Sequence, residues 1–164
     1  MSILIWAGIL IITLVLQITI IPLFAIYGVK PDLLLMVVVS TGLLQGKEKG
    51  VGIGFFAGLL QDLAIGNLFG LNILSKLLTG YVFGLVERKV FKDHIFLPIL
   101  AMAAATIFNS LILLIVLGFL GYTIQPVPIL VNYILPLLGY NMIISVPIHQ
   151  VVSRVLTIKR DSRF

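Results

Sequence analysis

The chain has 164 residues, of which 60% are hydrophobic and only 10% charged, against roughly 45–50% and about 25% in soluble domains. With a mean hydropathy of +1.22, it has too few polar side chains to coat a soluble surface, which excludes a soluble globular domain and marks an integral membrane protein. Eleven Lys and Arg against six Asp and Glu give a net charge of +5; the basic residues fall between apolar runs, so the excess reads as membrane topology and not as nucleic-acid binding. Cysteine is absent, which removes disulfide and thiolate chemistry.

A membrane helix needs about 20 apolar residues to cross roughly 30 Å of hydrocarbon. The first run, residues 3–27, lacks charge, a basic leader and a small-residue cleavage site, so it reads as a first span and not a signal peptide. Pro22 is expected to bend its far end. After a Gly-Val-Lys-Pro-Asp turn comes a second run, 33–46, only about 21 Å long as a helix, which either recruits its flanks to cross or dips in without crossing. Lys47-Glu48-Lys49 reads as a charged loop, followed by a third run, 50–66, and the uncharged loop Gly66-Asn67-Leu68-Phe69-Gly70. A fourth run, 71–86, ends in the charged stretch 87–94. Residues 95–153 then carry no Asp, Glu, Lys or Arg. That is two helices, 95–120 and 129–152, separated by a break at 121–128 rich in Gly and Pro. A basic tail follows.

The fold class is thus all-α, one domain over 1–164 forming a six-helix transmembrane bundle. Nine of the eleven basic residues fall on one side of it, all but Lys30 and the intramembrane Lys76. Both termini are therefore expected in the cytoplasm of a multi-pass protein.

Glycine recurs every four residues at Gly42, Gly46, Gly50, Gly54 and Gly58, and Asp62 continues the series. Small residues at this spacing let membrane helices approach closely. The fourth run carries Lys76, Gly80 and Gly84 at the same spacing. A hairpin symmetric about position 69 would place Gly54 against Gly84, Gly58 against Gly80, and Asp62 against Lys76. The buried acid and base read as a neutralising pair that fixes register, or as a conduction or ligand site. Asn132, Tyr133, Tyr140 and Asn141 are candidate cavity-lining residues on a proline-containing helix, the plainer reading being hydrogen bonds between helices. No catalytic, metal or cofactor motif is present. His94 and His149 lie far apart without a ligand pattern.

Pro31-Asp32-Leu33-Leu34-Leu35, the Gly46–Gly50 turn, Gly58-Leu59-Leu60-Gln61-Asp62-Leu63, Gly70-Leu71-Asn72 and Gly80-Tyr81, in this order and spacing, resemble the rod-shape-determining MreD family. Phe69 stands where many relatives carry proline. The family motif residues are Pro31, Asp32, Gly58, Asp62, Gly70 and Asn72. The resemblance implies a non-catalytic component of the bacterial cell-elongation complex in the inner (cytoplasmic) membrane, without a cofactor. Its implied partners are a bitopic MreC-like protein and, through it, the MreB-like cytoskeleton and the peptidoglycan-synthesising pair of a SEDS glycosyltransferase and a penicillin-binding protein. It also implies a bundle similar to substrate-binding subunits of energy-coupling-factor vitamin transporters, which makes such a subunit the alternative function. Those subunits dock through Ala-x-x-x-Ala in the first span; here the pattern occurs only at Ala101 and Ala105.

Overall fold

The computed structural model describes residues 3–65, 68–86 and 96–161. The charged stretch 87–94, Gly66-Asn67 and the last three residues of the tail lie outside them. Among the described residues the protein is helical, with an isolated β-bridge between Ile26 and Val29 and no strand. Six helices have 13 residues or more. They are α1 (Ile3–Thr19), α2 (Leu33–Gln45), α3 (Lys47–Ile65), α4 (Leu71–Leu85), α5 (Phe96–Phe119) and α7 (Leu135–Asp161). A short α6 (Pro126–Ile129) and a π turn (Leu130–Ile134) lead into α7 without a break.

Three boundaries differ from the sequence reading, each for a local reason. The apolar run 3–27 is not one helix: α1 stops at Thr19, and Pro22 sits in a separate 3-10 turn, Ile21–Phe24. Lys47, Glu48 and Lys49 are not a loop. Gly46 alone turns the chain, at φ +83, which only glycine adopts without strain. Its N–H closes α2 on the Gly42 carbonyl (2.8 Å), and its own carbonyl accepts from Gly50 within α3 (3.0 Å). The last helix begins earlier than residue 129, because Pro126 fits a first helical turn that needs no N–H donors. It continues past 152 to Asp161.

α2 is the axis of the bundle. Its residues from Leu33 to Leu43 are all buried, and α1, α3, α4, α5 and α7 all pack on it. This explains how so short a helix can be apolar on every side: its surroundings are protein. α1 touches α3, α3 touches α4, α4 touches α5 and α5 touches α7, which makes an incomplete ring around α2. The core has two parts. Leu35, Met36 and Val39 meet Phe83, Met102 and Ala105 on one side, and Leu34, Val37 and Val38 meet Trp6, Leu10 and Ile53 on the other. Large apolar side chains also cover the exterior, on α1, α5 and α7 above all. Pro98–Phe119 and Pro126–Leu156 are long and apolar enough to cross a membrane unaided.

The seam between α3 and α4 is backbone on backbone. A methyl group added at Gly50 would overlap the Gly80 carbonyl, and one at Gly80 the Gly50 carbonyl. Gly54 meets the Lys76 carbonyl, Gly58 meets Asn72 and Ile73, and Gly84 meets Lys47. Paired positions therefore sum to about 130, so the hairpin is centred near 65 and not 69. Gly54 does not face Gly84, nor Gly58 Gly80. Relative to the symmetric hairpin, α4 lies eight residues, or about 12 Å, further towards the Gly46 end.

Gly52, on the same helix, has open space where a methyl would go. Gly50→Ala and Gly54→Ala should each lower stability by about 1–3 kcal/mol through overpacking. Gly52→Ala should raise it by about 0.5–1 kcal/mol, since it only removes glycine's entropic penalty within a helix. Thermal melting in detergent distinguishes these outcomes, and equal effects at the three positions would contradict the seam.

Candidate functional site: the polar cluster at the start of α2

A helix that starts inside a protein must satisfy its first N–H groups without water. Asp32 does this for α2 and binds two further helices. Its Oδ1 accepts from the Leu35 N–H (2.9 Å), as an N-cap. Its Oδ2 accepts from Lys76 Nζ of α4 at 2.7 Å. Its own N–H donates to Asn141 Oδ1 of α7 (3.0 Å). Asn141 Nδ2 donates in turn to Thr106 Oγ1 of α5 (3.0 Å), and the Thr106 hydroxyl donates to the Met102 carbonyl (2.8 Å). From the other side, Gln17 of α1 accepts the Leu34 N–H (3.0 Å). One end of α2 is thereby tied to α1, α4, α5 and α7.

Lys76 is fully buried and the Asp32 side chain 16% exposed. Charge separation in such surroundings is strongly disfavoured, so the ammonium and carboxylate hold each other in place. The expected pairing of Asp62 with Lys76 is not what forms. The Asp62 carboxylate instead accepts from the Gly70, Asn72 and Ile73 N–H groups (2.9, 3.1 and 3.1 Å) and from Asn72 Nδ2 (2.9 Å). It caps α4 from the flank of α3, drawing the start of α4 down beside Gly58. That capping is the physical reason for the shifted register, and it carries Lys76 away from Asp62 to Asp32. Gly70 makes the return possible with φ +97.

The remaining candidates separate. Asn141 is fully buried within the cluster, whereas Asn132 and Tyr133 are exposed on the π turn. Tyr140 is half-buried and its hydroxyl donates to the Phe24 carbonyl (3.3 Å). These four residues do not share one hydrogen-bonded site. His149 Nδ1 lies 3.1 Å from Ser40 Oγ of α2, another link between helices. Pro31 is buried beside Asp32. Ala101 and Ala105 lie in the core beside Leu35 and Met36, so the Ala-x-x-x-Ala pattern is turned inward.

Gln17 and Thr106 are members of the cluster that the sequence reading missed. The sequence marks Asp32 as a motif residue but not as the partner of Lys76. A signal existed for two of them: Asp immediately before an apolar run is an N-cap pattern, and Gln17 is an isolated amide in an otherwise apolar helix. Among the described residues no group of three His, Cys, Asp or Glu could hold a metal ion. In chemical terms the cluster fixes helices: its donors and acceptors are aimed at backbone and at each other.

A double-mutant cycle checks this pairing. Lys76→Met alone should destabilise by about 3–5 kcal/mol, because it strands a carboxylate inside the bundle. Lys76→Met combined with Asp32→Asn should show a coupling energy of about 1–3 kcal/mol. Combined with Asp62→Asn, it should be additive within about 0.5 kcal/mol. Coupling to Asp62 in place of Asp32 would contradict the assignment.

The family model for rod shape-determining protein MreD matches residues 1–158. No curated protein and no solved structure matches the chain. With nearly the whole length covered, the chain belongs to the MreD family of rod shape-determining membrane proteins.

Proposed function

We propose that the protein is a non-catalytic scaffold of the bacterial cell-elongation complex. It binds an MreC-like bitopic partner in the cytoplasmic membrane and through it supports the MreB-like cytoskeleton and the SEDS–penicillin-binding-protein pair that builds peptidoglycan. The observation that carries this reading is the use of the polar groups around the start of α2 and of Asp62. Asp32, Lys76, Asp62, Asn141, Thr106 and Gln17 are all occupied in joining helices, and the outward faces are apolar. What remains for a partner is lateral helix packing. The glycine seam is consumed between α3 and α4, so the partner's span meets another face; α1, α5 and α7 present the largest outward apolar surfaces.

In this reading α1 to α5 and α7 all cross the bilayer, with both termini and the Gly46 turn on the cytoplasmic side. Lys47 and Lys49, exposed in the first turn of α3, then stand with the other cytoplasmic basic residues. Single cysteines test the topology. Glu48→Cys and Ser162→Cys should react with an impermeant maleimide only after the cells are opened, and Asn67→Cys in intact cells. Labelling of Ser162→Cys in intact cells would reverse the orientation.

Partner binding is tested by photo-crosslinking residues placed at Ile12, Ile107 and Ile143, with Gly52 as a reference on α3. An MreC-like chain should be captured from at least one of α1, α5 and α7. A stable purified complex without such a chain, together with saturable vitamin binding, would favour the transporter-subunit reading instead.

A further inference from the structure

The outward apolar faces of this fold differ in height from one side to the other. α4 has 15 residues, about 22 Å of helix. The Gly46 turn lies level with its end near Leu85, since Gly84 abuts Lys47, and Glu87 follows directly in the sequence. At the other end, the Asp62 cap holds the start of α4 beside Gly58. α4 therefore stops short of the last turns of α3, and its outward side chains, Leu74, Tyr81 and Leu85, form a low apolar band that Phe69 extends only by the turn before the helix.

Across the bundle the helix that begins at Pro126 runs through the π turn into α7 with no charged residue before Arg154. Those 28 residues make about 42 Å of helix. Val127, Val131, Leu135, Ile143 and Val151 are exposed along it. A bilayer offers about 30 Å of hydrocarbon, so α4 is about 8 Å too short and the α7 side about 12 Å too long. Tilting shortens the span of α7 but cannot lengthen that of α4 beyond its about 22 Å, so the α4 side stays the low one.

We propose that the protein stands in the membrane as a wedge, and that the surface along α4 is a contact site for the acyl chains of a locally thinned bilayer, with thickened bilayer along α7. Lipid chains are the occupant that these faces fit: the exposed side chains named on both carry no charge, and the α7 face meets lipid wherever a partner's span does not lie on it. This rests on the membrane-spanning reading above. Its mechanism is internal to the chain, since the Asp62 cap, by sliding α4 along the glycine seam, sets the low side.

The test uses tryptophan reporters in the full-length protein. Tyr81→Trp reports from α4 and Ile143→Trp from α7, and the buried Trp6, the single native tryptophan, gives a background measured on the parent. Each protein is reconstituted in phosphatidylcholine vesicles with monounsaturated chains of fourteen, eighteen or twenty-two carbons, and quenching by brominated lipids yields relative lipid affinities at each site. Mismatch costs a fraction of a kcal/mol per Å. The Tyr81→Trp site should therefore prefer the fourteen- over the twenty-two-carbon lipid by about twofold or more, and the Ile143→Trp site should show the reverse order. Leu74→Trp repeats the α4 measurement should Tyr81→Trp fail to fold. The same preferred chain length at both sites overturns the wedge and leaves the membrane-spanning reading intact. No quenching at either site by any lipid overturns both.

Discussion

Asp32 makes three bonds to three helices, and the rest of the bundle is arranged around that fact. A central helix buried from Leu33 to Leu43 gains tight packing on every side but begins where water cannot reach its N–H groups. An unsatisfied donor there would cost about 1–3 kcal/mol. Asp32 removes one such cost within α2, while its backbone N–H and second oxygen recruit α7 and α4. The ion pair with Lys76 is not by itself an argument for high stability, because desolvation offsets most of the attraction. Its effect is positional: it fixes which turn of α4 lies against the start of α2.

The second constraint is the glycine seam, and the two are coupled through α4. Gly50, Gly54, Gly58, Gly80 and Gly84 bring two backbones into contact, a geometry that serves helices lacking a hydrophobic driving force against lipid. Close approach alone does not choose a register. The Asp62 cap chooses it, and only in that register does Lys76 reach Asp32. Two acids of similar appearance in the sequence thus divide the work, one on backbone amides and one on an ammonium.

Much of this was legible in the residues. Composition gave the membrane class, the apolar runs gave the helices, and glycine at four-residue spacing marked the α3–α4 seam. The register was not legible, and the reason is degeneracy. Pairing sums of 130, 134 and 138 all set glycine against glycine, because the repeat maps onto itself every four residues. What separates them is a carboxylate bonding to backbone N–H groups across a turn, which leaves no side-chain pattern to read. Asn141 was visible as a polar residue on a long helix, but its partner lies 109 positions away, a distance that helical periodicity does not bridge. The early end of α1 followed from Pro22, whose missing donor ends a helix more readily than it bends one.

For a protein that determines rod shape, such a framework has a clear use. A scaffold transmits force or geometry only if its helices keep their relative heights, and here those heights are fixed by one ion pair, one cap and five glycines. The most direct examination is magic-angle-spinning NMR on the protein in lipid bilayers, with 15N-lysine and 13C-aspartate labels. The Lys76 Nζ resonance, assigned by its loss in Lys76→Met, should show strong dipolar coupling to the Asp32 carboxyl carbon and none to that of Asp62. Strong coupling to Asp62, with Asp32 uncoupled, would return the hairpin to its symmetric register and undo the arrangement described above.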